Sequence, residues 1–317
     1  MNIFNTIFPI FFLMFIGWGL AKANFFDEST EINLTKLVFN LALPAVILVS
    51  IEQYSIKNIL NLRFAVGYTL SILIIFILTF CIFRYIKKYK FPDCIFIGMN
   101  ASISNSGFIA MPILIGMFGT LGAIPAIAML TVSSMVLIPV SIWIIESSTQ
   151  YNEAINISTI FEVFPKIIRQ PFILATIIGS IISICSLHIP EVVSSGLQYL
   201  SYILVPCALI AVGIRLATRD LFKVKSDIIY ITILNLIIKP IFAILIAWIL
   251  HLSKIYSTAL VVISAAPVAN TIYILAAKYN IYQKESAQIA FITTILSVIS
   301  LPFFLWVASM VVGSAFS

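Results

Sequence analysis

Charged residues are scarce in this sequence. Only 9% of the 317 residues are Asp, Glu, Lys or Arg, whereas 62% are hydrophobic. Soluble proteins contain about 25% charged and about 45–50% apolar residues, so this composition excludes an ordinary soluble domain and indicates a membrane protein. Cysteine is also rare, and the four cysteines have no paired spacing. We therefore expect free thiols in or beside the membrane and neither disulfides nor a cysteine metal site.

Ten segments are apolar and long enough to cross a bilayer, which requires about 20 residues each. The predicted spans are residues 4–21, 32–51, 63–83, 93–116, 119–145, 164–185, 195–217, 227–250, 255–277 and 286–313. The connections are short, and the longest of them, around Glu146 to Lys166, is polar. We therefore expect an all-α integral membrane protein with no separate soluble domain.

The two halves of the sequence repeat each other at a spacing of 162 to 163 residues. The matched pairs are Pro9 with Pro171, Gly17 with Gly179, Pro44 with Pro206, Thr131 with Thr294, Pro139 with Pro302 and Trp143 with Trp306. Each half contains five spans. Because five is odd, the second copy must lie in the membrane upside down relative to the first. Inverted repeats are typical of secondary transporters. The predicted division is a first five-helix repeat at 1–146, a connecting loop at 147–162 and an inverted repeat at 163–317.

The basic residues predict the orientation in the membrane. Lys57, Arg63 and Lys254 lie on the side that both termini share. Fourteen basic residues lie on the other side: Lys22, Lys36, Arg84, Lys87, Lys88, Lys90, Lys166, Arg169, Arg215, Arg219, Lys223, Lys225, Lys278 and Lys284. The asymmetry predicts that both termini lie on the outer side of the cell (inner) membrane. It also accounts for the net charge of +6, so this charge does not indicate a nucleic-acid partner.

No acidic residue lies in the middle of a predicted span. All twelve fall at span ends or in loops, whereas a cation carrier would need carboxylates within the membrane. The sequence also lacks the His-Glu-x-x-His arrangement, an aspartate-rich diphosphate motif and a phosphate-binding glycine loop. We therefore expect no enzyme, no cofactor and no metal site.

Polar residues and prolines interrupt the fourth and ninth spans. The fourth contains the run from Asn100 to Pro112, and the ninth contains the run from Ser264 to Thr271. Asn, Ser and Gly are poor helix formers, and proline removes a backbone donor. Because freed backbone groups within the membrane need a protein or water partner, both spans should break beside a cavity. Two broken helices in corresponding places point to a binding site at the membrane midplane.

The candidate binding residues come from these two interruptions. They are Ser104, Asn105, Ser106, Asn270 and Thr271, with Gly107, Pro112 and Pro267 at the predicted helix crossing. For a single serine, helix packing is favoured over substrate contact, because small polar residues also let helices approach closely. The asparagines together with the prolines favour substrate contact.

Lys239 is the basic residue well inside a predicted span. An ionisable group within the membrane is costly and is a functional candidate by default. It could attract an anionic substrate or act as an internal counter-ion. The alternatives are that it extends toward the membrane surface or caps helix carbonyls.

The motifs in their order resemble the auxin efflux carrier family. They are Asn40-Leu41-Ala42-Leu43-Pro44, Asn105-Ser106-Gly107-Phe108 with Pro112, Pro206 through Gly213, Lys239-Pro240, Ala266-Pro267, and Thr293-Thr294 with Pro302. The resemblance covers the whole chain. It implies ten spans in two inverted repeats, as in sodium–proton antiporters of the NhaA type and bile-acid transporters, with helices 4 and 9 crossing at Pro112 and Pro267. It further implies a scaffold and a transport domain that move in an elevator-like cycle.

The expected function is a secondary transporter of a small organic anion, with a carboxylate as the favoured substrate. A carrier of a non-carboxylate solute and a non-transporting membrane receptor on the same fold are the alternatives. The expected partners are the organic anion and the lipid bilayer, and a homodimer is possible. The sequence leaves open the substrate, the direction of transport and any coupled ion.

Overall fold

A computed structural model describes most of the chain. The described residues are 3–53, 61–133, 137, 140–141, 144, 168–185, 187, 189–218 and 225–315. The predicted connecting loop at 147–162, and the repeat positions Pro139 and Trp143, lie outside them. Within the described ranges every regular element is a helix, apart from an isolated β-bridge between Ser104 and Val268.

The described helices are numbered here in chain order. The α-helices are α1 (Ile3–Lys22), α2 (Glu28–Leu37), α3 (Leu43–Gln53), α4 (Leu62–Cys81), α5 (Phe91–Ser102), α6 (Met111–Phe118), α7 (Ala123–Val132), α8 (Pro171–Ile184), α9 (Glu191–Tyr202), α10 (Leu204–Thr218), α11 (Ser226–Ile233), α12 (Lys239–Ile249), α13 (Lys254–Ala265), α14 (Asn270–Tyr279) and α15 (Gln283–Ala315). Short π-helical segments at Val38–Ala42, Ile82–Ile86, Ser106–Ala110 and Leu234–Ile238 continue or join them.

Six helical stretches of the described chain are long and apolar enough to cross a membrane. They are Glu28–Glu52, Leu62–Ile86, Ser106–Val132, Glu191–Ala217, Ser226–Ile249 and Gln283–Ala308. The shorter apolar helices Phe11–Lys22, Pro171–Ile184 and Lys254–Ala265 accompany them. Their length and composition fit a helical membrane protein.

The chain turns sharply after α6. Gly119 adopts a φ of 63°, and a Cβ atom on Gly122 would lie 2.0 Å from the carbonyl oxygen of Leu114. Such an approach requires the chain to fold back on α6, since residues eight apart on a straight helix are about 12 Å apart. The turn falls close to the boundary predicted between the spans at 93–116 and 119–145.

One compact unit comprises Met1–Leu62, Ser106–Ala128 and Ile168–Asp220. In it, α1 packs against α10 with little space between the two backbones. A Cβ atom on Gly17 would lie 2.3 Å from the carbonyl oxygen of Ile210. This close packing explains why glycine occupies that position.

The other compact unit comprises Arg63–Asn105, Met129–Ile167 and Leu221–Ser317. Within it, α13 packs against both α12 and α15, and α15 also contacts α5. The unit therefore brings α5, α12, α13 and α15 together around the β-bridge, and the candidate site described below lies here.

The close approach of α1 and α10 gives a stability test. Gly17→Ala places a methyl group against a backbone carbonyl that cannot move freely, so we expect a loss of about 1–3 kcal/mol. Gly19 is the matched control on the same helix, because a Cβ atom there meets nothing within 4 Å. Gly19→Ala should be neutral or stabilising by up to about 1 kcal/mol through helix propensity. Thermal unfolding in detergent measures both, and equal stability of the two variants would contradict the described packing.

Candidate functional site

The unit that holds α5 and α13 contains a crossing of two extended segments. Helix α5 ends at Ser102 and α13 ends at Ala265. The backbone N–H of Asn105 then donates to the carbonyl of Pro267 at 2.7 Å, and that of Ala269 donates to Ile103 at 3.0 Å. These antiparallel bonds satisfy backbone groups that the broken helices leave without helical partners.

The local sequence explains the break in α13. Pro267 cannot donate a backbone hydrogen bond, and a residue before proline is forced out of the helical region. Ala266 accordingly adopts φ −68° and ψ 148°, an extended conformation. On the other side, Ile103 is extended at φ −90° and ψ 117°, among serine and asparagine residues with poor helix propensity.

The carbonyl groups at the end of α5 all have partners. The last four carbonyls of a helix lack helical donors. That of Met99 accepts from the N–H of Ile103 at 2.9 Å. The side-chain amide of Asn235 donates to the carbonyls of Asn100 and Ala101 at 3.4 and 3.1 Å. The Lys239 ammonium donates to the fourth, that of Ser102, at 3.4 Å.

Lys239 is held inside the protein and does not extend to the membrane surface. Its side chain is 1% exposed, and Nζ also donates to the Ser104 hydroxyl at 2.6 Å. Within the described chain, no carboxylate lies within salt-bridge distance of it. A cation at a helix C-terminus is stabilised by the helix dipole, which favours this position for the ammonium.

The second extended segment is fixed by α15. The backbone N–H of Val268 donates to the Thr293 hydroxyl at 3.3 Å. That hydroxyl in turn donates to the carbonyl of Ile289 at 2.7 Å. The side chain of Thr293 is fully buried. Its hydroxyl therefore holds the segment in place from inside the protein.

A further buried contact joins α5 to α15. The Asn100 amide donates to the Ser286 hydroxyl at 2.8 Å and to the carbonyl of Phe96 at 2.8 Å. Asn100 and Ser286 are both completely buried. The crossing is thus fixed by side chains from α5, from α15 and from the segment that joins α11 to α12.

The predicted site residues fall into three groups. Ser104, Lys239 and Pro267 come together at the crossing, with Asn105 opposite Pro267. Asn270 is half-buried and Thr271 is exposed, at the start of α14 directly after the crossing. Ser106, Gly107 and Pro112 are buried in the other unit.

Pro112 and Pro267 occupy different structural positions. Pro112 is the second residue of α6, and the β-bridge pairs Ser104, not Pro112, with Val268. The π-helical segment Ser106–Ala110 runs directly into α6, so Pro112 lies inside a continuous helical stretch that follows the break. Pro267 lies in the bridged segment itself, and the position that the predicted repeat pairs with it is Ser104.

The start of α14 differs from the end of α5 in having no side-chain cap. Its N-cap residue is Ala269, whose side chain forms no capping hydrogen bond. The first N–H groups of a helix have no helical acceptor and carry a partial positive charge. An anion is the ligand that such a helix start favours.

Three described acidic residues of this unit lie far from the crossing. Asp93 is in the first turn of α5, and the other two are paired where α11 and α15 begin. Asp227 pairs with Lys87 at 3.0 Å and accepts a hydrogen bond from Tyr89, and Glu285 pairs with Lys225 at 2.6 Å. Burial, together with the hydrogen bond to Asp227, raises the pKa of Tyr89 to about 12. Asp227 precedes Lys239 by about 18 Å along the helix at 1.5 Å per residue.

Sequence reasoning missed Asn100, Asn235, Ser286 and Thr293 as parts of the site. One signal was present, because a buried asparagine is unusual in an apolar span and Asn235 precedes Lys239 by one helical turn. Their partners could not be inferred, since each contact joins residues that are distant in the sequence.

The cap formed by Asn235 gives a second stability test. Asn235→Leu removes the donor to two buried carbonyls, which should cost about 1–3 kcal/mol. Thr232 is the matched control, since its buried hydroxyl has no hydrogen-bond partner among the described residues. Thr232→Val should therefore be neutral or stabilising. Thermal unfolding compares the two, and an equal loss in both variants would show that the amide does not act as a cap.

Known proteins resemble this chain over nearly its whole length. Residues 2–305 match the sequence profile of the family described as Membrane transport protein. The "Putative malonate transporter" of Rhizobium meliloti (strain 1021) is 23% identical over 304 residues, which cover 94% of this chain and 93% of that protein. The "Uncharacterized transporter YfdV" of Escherichia coli (strain K12) is 23% identical over 317 residues, with coverage of 97% and 98%. An "Uncharacterized transporter" of Methanothermobacter thermautotrophicus is 24% identical over 309 residues, with coverage of 95% and 96%.

The matching profile and these relatives describe transporters and not enzymes. Together with the apolar membrane-spanning helices, they make this chain a multi-pass membrane transporter. The chain belongs to the membrane transport protein family, which is the auxin efflux carrier family that its motifs resemble.

Proposed function

We propose that this protein is a secondary transporter of a small organic anion, with a carboxylate as substrate. The observation that carries the proposal is the charge of the crossing. Lys239 places a basic side chain there, while the described acidic residues of the same unit, Asp93, Asp227 and Glu285, all lie at the starts of helices. Such a site repels cations and attracts anions.

The proposed binding surface is the start of α14. A carboxylate there would accept hydrogen bonds from the first backbone N–H groups and from Asn270 and Thr271. Asn105 extends the polar surface on the fourth span. Ser104 is assigned to the support of Lys239, because its hydroxyl already accepts from the ammonium.

The relatives support an organic anion without fixing which one. One relative carries malonate in its name, and malonate is a small carboxylate. The identity of 23% over almost the whole of both chains supports a shared transport role, while substrate preference depends on a few side chains.

The proposed architecture is ten spans in two inverted five-helix repeats, at 1–146 and 163–317, joined by a loop at 147–162. The breaks after Ser102 and Ala265 support it, because they fall in the fourth and ninth predicted spans. We assign the transport role in an elevator-type cycle to the unit that holds the crossing. The proposed location is the cell or inner membrane with both termini outside.

Flux measurements test the function. Purified protein in proteoliposomes should show saturable flux of at least one acid from a panel of lactate, malate, malonate and indole-3-acetate. Asn270→Ala and Asn105→Ala should each weaken the apparent affinity about 10-fold or more, because a hydrogen bond to a charged group contributes about 1.5–3 kcal/mol.

Gln198→Ala is the control for these variants, since it removes an exposed amide from α9. Unchanged transport in both folded asparagine variants would exclude the assigned site. Loss of expression alone would indicate a packing role for the asparagines. Binding of an acid without flux would identify a receptor instead of a transporter.

Reporter fusions test the orientation. Alkaline phosphatase is active outside the bacterial inner membrane, so a fusion after Ser253 should be active and a fusion after Lys88 inactive. The physical reason is the excess of basic residues on the side that holds Lys88. The reverse pattern would contradict the proposed orientation.

A further inference from the structure

Two side chains cap the end of α5, and they differ in charge. The neutral amide of Asn235 donates hydrogen bonds to the carbonyls of Asn100 and Ala101. The Lys239 side chain donates to the carbonyl of Ser102 and to the Ser104 hydroxyl. The hydrogen bonds alone do not require a charge at position 239. Placing a cation in a fully buried position without a carboxylate is costly, so the charge itself calls for an explanation.

The helix dipole stabilises this cation but does not cancel its charge. Partial charges at the two ends of a helix sum to zero over the whole helix. The paired residues Lys87 with Asp227, and Lys225 with Glu285, also contribute no net charge. Other charged residues of this unit, such as Asp93, Lys278 and Lys284, lie in the first or last turns of helices, so a protonated Lys239 is the charge that the described residues place at the crossing itself.

We propose that Lys239 stays protonated and is the internal counter-charge of the transported anion, so that a monovalent carboxylate crosses the membrane as a formally neutral complex. The inference rests on the proposed function, and it narrows the preferred substrate to acids that bind with a single negative charge. The empty crossing then carries +1, the crossing loaded with a monoanion carries zero, and the crossing loaded with a dianion carries −1.

This charge count determines which step responds to the membrane potential. Exchange of one monoanion for another uses only the neutral loaded state, so a potential should not affect its rate. Net transport also requires the empty, positively charged crossing to return, and a potential that is negative inside drives that return inward. Exchange should in addition be faster than net flux, because the empty state has no anion to offset the buried charge.

The experiment compares exchange with net efflux of radiolabelled lactate in proteoliposomes, at zero potential and at 100 mV negative inside. Lactate exchange should change less than twofold with potential. Net efflux should rise several-fold, with an upper limit of about 50-fold for one full charge moved through 100 mV. Exchange of malonate at pH 8, where it is a dianion, should respond to the potential.

Two substitutions at Lys239 sharpen the test. In Lys239→Met the loaded complex carries −1, so lactate exchange should become sensitive to the potential. Lys239→Arg retains the charge and should keep exchange insensitive. Lys278→Met is the matched control, since Lys278 is exposed in the last turn of α14, and it should behave as the unmodified protein does.

Each outcome decides the inference. Lactate exchange that responds to the potential in the unmodified protein overturns it while leaving carboxylate transport intact. An unchanged response in folded Lys239→Met also overturns it. If that variant does not fold, the unmodified protein decides: lactate exchange should be insensitive to the potential and malonate exchange sensitive to it, and equal sensitivity of the two would overturn the inference. Absence of all carboxylate flux from folded protein rejects the proposed function, and the inference with it.

Discussion

Every backbone N–H and C=O group within a membrane must find a partner, and the structure of the crossing depends on this constraint. A helix that breaks in hydrocarbon leaves donors and acceptors that water cannot reach. Here the two extended segments bond to each other, and α5 ends on Asn235 and Lys239. A broken span is stable in this protein because other helices supply the missing partners.

The two kinds of helix end at the crossing are treated differently. All four terminal carbonyls of α5 accept hydrogen bonds from within the protein. The start of α14 has no side-chain cap and carries a half-buried Asn270 and an exposed Thr271. The negative helix end is therefore capped by side chains, while the positive end has no side-chain cap, and this asymmetry favours an anion as the ligand.

The helix breaks could be predicted from the sequence, but the partners of the broken ends could not. Pro267 and the polar run before Pro112 oppose helix formation locally, so their effect is visible in a single segment. The burial of Lys239 beside Ser104, and the caps from Asn235 and Thr293, depend on which spans are neighbours. The position of Pro112, inside the helical stretch that follows the break, shows the same limit. Local propensity predicts that a break occurs, and tertiary packing decides which residues meet there.

The choice of lysine at position 239 separates a structural role from a transport role. If capping were its whole function, a neutral donor would serve at lower cost, as Asn235 shows one turn earlier on the same helical stretch. Charged residues inside a membrane pair with other charges or with backbone carbonyls, and they mark substrate pathways. A bound carboxylate at the start of α14 is the further partner that we propose for Lys239. The same residue then closes the broken helix at all times and balances the substrate only when the site is filled.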